Sequence, residues 1–280
     1  MSPRRIRSST TLDSHGSAQV GRGRSRIDPL PEHAAFRRSL IATALASACL
    51  GAAPVHATNF TCTWTDSNGS WITAANWSGC NSLSPNNSGG NTYDVTISNG
   101  GLPQLTSAIT IGNVTISSGG WEISSTSASA TLTGGATLTG SGLIELLDGA
   151  SMSTGSDVTV SGNGRIKVDA YGGAGGSTLT VNGNLTNTST GSFGDGGVSV
   201  GNAAMSNADL LTVNGSYSNT GGLTTLNGGY VGGATAQMTI TGAAPSTLLG
   251  TYDVDANKGG AALQWGSGGI TQIGDGGTNA

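Results

Sequence analysis

From residue 95 onward one short phrase recurs: an apolar residue, threonine, valine or isoleucine, a polar residue, and glycine soon after. Its copies begin at Val95, Val114, Val158, Leu179, Leu211 and Met238. In an extended chain alternate side chains face opposite sides, so Val95 and Ile97 point inward while Thr96 points out. Each phrase reads as one half-buried strand, stopped by glycine or asparagine turn residues. The starts are separated by 19, 44, 21, 32 and 27 residues. The longest interval also holds Thr131-Leu-Thr, Thr137-Leu-Thr and Leu143–Leu147, so the period is about 20 residues with insertions. The strongest internal match joins Leu179–Thr188 to Leu211–Thr220.

A period of this size predicts an all-β parallel solenoid. One coil is too small to bury a face alone, and stacking coils about 4.8 Å apart pairs their backbones and builds a continuous core. A β-sandwich is the structural alternative, but it does not require near-identical phrases with one inward pattern. The composition agrees. Of 280 residues 48 are glycine, which suits tight corners, and only 9% are charged, which leaves few of the residues that favour helices.

The charges divide the chain. Eight of the 11 lysines and arginines and all three histidines precede residue 58. Arg37-Arg38 is followed by an apolar stretch through Ala53 and then by Pro54-Val-His-Ala57, which describes a secretory signal with cleavage after Ala57. Residues 1–57 are therefore an N-terminal extension and signal peptide. A buried core helix is the bland alternative. A lipoprotein reading would make Cys49 a lipidated N-terminus, and Phe36–Ile41 loosely resembles a twin-arginine signal.

The mature chain would run from Thr58 to Ala280 with three basic and twelve acidic residues, a net charge of −9, and no histidine. That excludes a nucleic-acid footprint, a polybasic membrane patch and histidine-based catalysis or metal ligation. No apolar run in it is long enough to span a membrane as a helix. Cys62 and Cys80 are an even pair in an exported chain and read as a disulfide worth about 3 kcal/mol, with two free thiols as the alternative. Residues 58–94, with Trp64, Trp71, Trp77 and both cysteines, suit an N-terminal cap, and 95–280 suit the repeats. Repeat material continues to Ala280, which predicts a truncated reading frame.

Thr63-Trp64, Ser70-Trp71, Ala75-Asn-Trp-Ser78 and Tyr93–Ile97 together resemble the start of bacterial autotransporter and filamentous-haemagglutinin-like surface proteins. Leu249–Val254, Ala262–Trp265 and Ile270–Ile273 are similar to repeats in their passenger regions. The resemblance implies a right-handed β-helix at the cell surface or outside the cell. It also implies adhesion to glycans or surface proteins of a host or the environment, and an outer-membrane export machinery. The C-terminal barrel common in such proteins has no counterpart here, since only Tyr252 and Trp265 are aromatic after residue 231.

No cofactor or metal is expected and the reading is non-enzymatic. The best catalytic group is Arg165-x-Lys167-x-Asp169, of the kind a β-helix polysaccharide lyase or hydrolase uses; the structural alternative is an exposed ladder of ion pairs. Glu145/Asp148 and Asp253/Asp255 are further acid pairs. Asp253–Gly259 departs from a calcium loop by Lys258 and Gln264. Trp64, Trp71 and Trp77 could stack on sugars, as a carbohydrate-binding module would, or fill the core of the cap. Outward threonines such as Thr131/Thr133, Thr137/Thr139 and Thr178/Thr180 resemble ice-binding arrays, against which the uneven spacing argues.

Overall fold

The structure, a computed structural model, describes residues 57–271 apart from 171–174, 191–196, 203, 230–233, 244–248, 256–259 and 267–268. The proposed signal segment through His56 and the last nine residues lie outside them. Apart from a single short 3-10 turn at Ala74–Asn76, the regular structure is β. The strands form three eight-stranded sheets, here called A, B and C. From Thr92–Ile97 to Ala236–Ile240 the chain visits them in the order A, B, C six times, so each strand pairs with the strand one round later.

Pairing between rounds is parallel, which is why these sheets need the other two strands of a round as their crossover. In sheet A the register runs Val95, Val114, Ala136, Val158, Leu185, Tyr217. Those positions and their neighbours two along, such as Ile97, Ile116, Leu138 and Val160, are buried, while the threonine between them faces out. Antiparallel pairing occurs where Trp77–Ser78 joins Asn59–Trp64 and where Gly269–Thr271 joins Ala261–Trp265. The segment read as a cap is already part of the stack: Asn59–Trp64 belongs to sheet A and Asn68–Ser70 to sheet B.

The repeated phrases fall into two sets. Val95, Val114 and Val158 lie in sheet A, whereas Leu179, Leu211 and Met238 lie in sheet C. The interval of 21 residues from Val158 to Leu179 is therefore not a full round, and the interval of 44 is two rounds. The strongest internal match is a true round: Leu179 pairs with Leu211, and Leu185 with Tyr217.

Corners explain the remaining sequence. Four successive turns leaving sheet B begin with a residue in the left-handed region: Ser125, Asp148, Asp169, then Gly201. Entering sheet B, Gly119 has φ of +90°, and a Cβ there would sit 2.2 Å from the Gly101 carbonyl oxygen, so no other residue fits. Where the chain enters sheet A, side chains cap the backbone of the next round. Asp94 Oδ1 accepts from the Asn113 N–H at 2.8 Å, and Asn113 Oδ1 accepts from the Gly135 N–H at 2.9 Å. Asp157 and Asn184 repeat this three rounds later, to the Asn184 N–H at 2.7 Å and the Ser216 N–H at 2.9 Å. Burial alone would raise the Asp94 carboxyl, but hydrogen bonds from Asn59 and Asn113 hold it below the usual range.

The core is mostly apolar; its buried polar residues include Thr154 in sheet C, Thr224 in sheet B and, late in sheet A, Asn187, Ser189 and Asn219. Asn187 replaces the inward Val160 and pairs with Asn219 above it. Asn187 donates to the Leu223 carbonyl at 3.1 Å and accepts from Ser189 Oγ at 2.7 Å, so its amide is satisfied inside.

Candidate functional site

Four groups of residues carry the possibilities raised by the sequence. The first is the tryptophan cluster. Cys62 and Cys80 form a disulfide with Cα atoms 5.1 Å apart. Beside it Trp64, Trp71 and Trp77 are buried. Trp71 lies edge-on to Trp77 at 4.6 Å between centroids and stacks on Trp121 at 4.5 Å. Its indole N–H donates to the Pro85 carbonyl at 3.0 Å, and that of Trp77 donates to the Trp71 carbonyl at 2.7 Å. Stacking on a sugar needs an open ring face, and these rings face one another and the core. Trp121, which completes the cluster, was not singled out by the sequence because it lies some 40 positions beyond Cys80.

The second group is the outward column of sheet B, where Gln104, Glu122, Glu145 and Lys167 stand in register. Glu145 and Lys167 are 7% and 4% exposed, so this is not a solvated ladder. Burial raises the Glu145 carboxyl, and the Lys167 charge opposes that rise. Arg165 is half-buried one pleat away, opposite Leu143.

The third group is the corner leaving sheet B. The proposed catalytic trio divides here: Arg165 and Lys167 stay on the outer face of the strand Arg165–Val168, while Asp169 turns away in the left-handed region. Asp169 is fully buried and meets Asp209, also fully buried, from the next round. Ser177 bridges them. Its hydroxyl donates to Asp169 Oδ2 at 3.2 Å and its N–H donates to Asp209 Oδ1 at 2.9 Å. The Asn202 amide donates to the Asp169 carbonyl oxygen. Asp169 Oδ1 and Asp209 Oδ2 are buried with no hydrogen-bond partner. Desolvation, reinforced by the Asp169 charge, pushes the Asp209 carboxyl up to about 7 against hydrogen bonds from Ser177 and Gly176. Asp169 is also raised, first by burial and then by Asp148. Sequence spacing gave no hint of Asp209, because its partner is 40 positions earlier on another round.

The fourth group is the outer face of sheet A. Thr63, Thr96, Thr115, Thr137, Thr159, Thr186 and Ser218 form one unbroken column of paired residues. Two positions on, Ser161 pairs with Thr188, and Ser98, Ser117, Thr139 and Thr220 lie just past the strand ends, where the N–H groups of Ser117, Thr139 and Thr220 continue the bonding to the previous round; Thr65 instead bonds to the Asn76 carbonyl. Thr133 and Thr139, read as strand residues, lie just past the strands Ser129–Leu132 and Ala136–Leu138.

Among the described residues no group of three or more His, Cys, Asp or Glu is placed to hold a metal, and no helix is long and apolar enough to cross a membrane. Lys258 of the calcium-like loop lies outside the described residues. A surface depression of about 280 Å³ is lined by Ser218, Asn219, Thr220, Leu249 and Tyr252 and brings together no acid and base. Comparison with protein-family models, with curated proteins and with solved structures finds no match.

The residues of the proposed trio are therefore not gathered at one point. General acid–base work needs two groups poised at one accessible point. Here Lys167 of the trio sits opposite Glu145 on the sheet, and Asp169 is sealed in a corner with a second acid.

Proposed function

We propose that this chain is an exported, non-enzymatic β-solenoid of the autotransporter-passenger type, a right-handed parallel β-helix that acts by binding, as an adhesin does. The observation that carries this reading is the repeated A, B, C order. It sets outward residues of successive rounds in long ordered columns around a core that is mostly apolar. Such faces suit weak contacts summed over many rounds. The Cys62–Cys80 bond is compatible with an oxidising compartment. Against the polysaccharide-lyase alternative stands the separation of Asp169 from Arg165 and Lys167.

Export is tested by expressing the full chain in a Gram-negative host and weighing the protein outside the cytoplasm. A chain beginning at Thr58 is expected, and a lipid on Cys49 or an uncleaved cytoplasmic product would refute the leader. Function is tested by coating beads with the released protein and measuring adhesion to glycan and matrix-protein arrays alongside a polysaccharide-cleavage screen. Cleavage that disappears in Lys167→Ala would replace adhesion by catalysis.

A further inference from the structure

The two hydroxyl columns of sheet A answer the objection that uneven repeats cannot form a lattice. Sheet A registers advance by 19, 22, 22, 27 and 32 residues from Val95 to Tyr217, yet every pairing is in step. The extra residues fall in the connections outside sheet A. The result is an array of threonine and serine, seven in the first column and six beside it from Ser98 to Thr220, about 4.8 Å apart between strands and roughly 6.7 Å apart along the chain. Its length over six intervals is about 29 Å.

Three properties narrow what such a face can bind. Neither column contains a charge or an aromatic ring; most charges of the strands, Glu122, Glu145, Arg165 and Lys167 among them, lie in sheet B. Asp94 and Asp157 border the face, but Asn113 and Asn184 engage their carboxylates. That rules out recognition of an ionic ligand and of a sugar by ring stacking. The side chains of the first column make no hydrogen bond within the described structure, so their hydroxyls are free for water, whereas Ser161 and Thr188 of the second bond back to carbonyls at 3.3 Å. Threonine is stiff at χ1, so each methyl and hydroxyl repeats in a fixed place. Water held at such sites is already ordered and loses little further freedom on joining a crystal.

We infer that the outer face of sheet A binds ice, the repeating oxygen lattice of the crystal being its ligand. The strand spacing and the two-residue spacing lie close to the repeats on faces of hexagonal ice. Sheet C is a poorer match. Its column Thr110, Thr131, Ser153, Thr180, Thr212, Thr239 is in register, but Ala108, Leu210, Gln237 and Ala262 break the column beside it. This inference rests on the reading that the outer faces act by binding, but not on export.

The test measures ice recrystallisation and thermal hysteresis with the purified full chain, with Thr137→Tyr at the centre of the face and Thr225→Tyr on sheet B as control. Both variants replace outward side chains, and circular dichroism and thermal melting check that each folds. The wild type is expected to slow recrystallisation, Thr137→Tyr to lose that effect, and Thr225→Tyr to keep it. Ice growth indifferent to the wild type, or equal loss in both folded variants, would overturn the inference. So would self-association or retention on crystalline chitin that Thr137→Tyr abolishes without any effect on ice, since either would assign the face to another occupant. A chain that is not exported but still shapes ice would refute the location alone.

Discussion

Replacing Asp209 by asparagine should make the protein more stable at alkaline pH and change little in acid. Asp209 is fully buried, and its carboxyl is raised from 3.8 to about 7 by desolvation and by Asp169. A raised acid favours folding least where the unfolded chain has already ionised. The penalty is absent below about pH 4, grows as pH rises, and is complete above about pH 7. Three pH units correspond to about 4 kcal/mol, an upper figure because the buried corner can relax. Asparagine keeps an acceptor for the Ser177 N–H and places a donor where the orphaned Asp209 Oδ2 lies, facing a carboxylate that can accept it. The assay is urea denaturation of wild type and Asp209→Asn across this range, with hydrogen exchange at the Ser177 amide as a local readout, since stacked rounds can open separately. The difference between the two proteins isolates this corner from the opposite contribution of Asp94, whose lowered carboxyl costs stability as pH falls. A difference that is constant with pH, or that shrinks toward alkaline pH, would refute the reasoning.

Reducing the Cys62–Cys80 bond, which closes a separation of 18 residues, should lower stability by about 3 kcal/mol, read from the denaturation midpoint with and without reductant. Trp71→Ala should cost about 3–5 kcal/mol by removing the ring between Trp77 and Trp121, and near-ultraviolet dichroism of the cluster should collapse with it. Gly119→Ala should cost more than Gly89→Ala, because only the first meets a carbonyl oxygen; roughly 1–3 kcal/mol should separate their midpoints. Lys167→Met should raise the Glu145 carboxyl further, seen as an upward shift in its NMR titration.

Much of the strand pattern was legible in the sequence because alternation is a local property. Val95, Thr96 and Ile97 show in-out-in without reference to any partner, and glycine marks the turns. The round was harder to see. Sheets A and C use the same phrase, so Val158 and Leu179 look like successive copies although they lie in different sheets. Sheet B has no phrase at all: Gly120–Ser124 and Arg165–Val168 share two buried apolar positions, Trp121 with Ile166 and Ile123 with Val168, and not letters. At the sites, the disulfide followed from counting cysteines. The Arg165, Lys167 and Asp169 spacing correctly put two cations on one face. It failed for Asp169 because a left-handed residue ends the alternation there. The Asp209 contact and the Glu145–Lys167 register depend on which round lies above which, and insertions in the corners hide that from any fixed period.

Four side-chain caps at the entry to sheet A run in one direction. Asp94 serves Asn113, Asn113 serves Gly135, Asp157 serves Asn184, and Asn184 serves Ser216, so the acceptor always belongs to the earlier round. A chain laid down from its N-terminal end therefore finds each acceptor waiting on a finished ledge before the donor arrives. Growth in the other sense would leave these four donors without their caps until the next round formed. The stack carries a vectorial template for its own assembly, suited to a polypeptide that becomes available one end first.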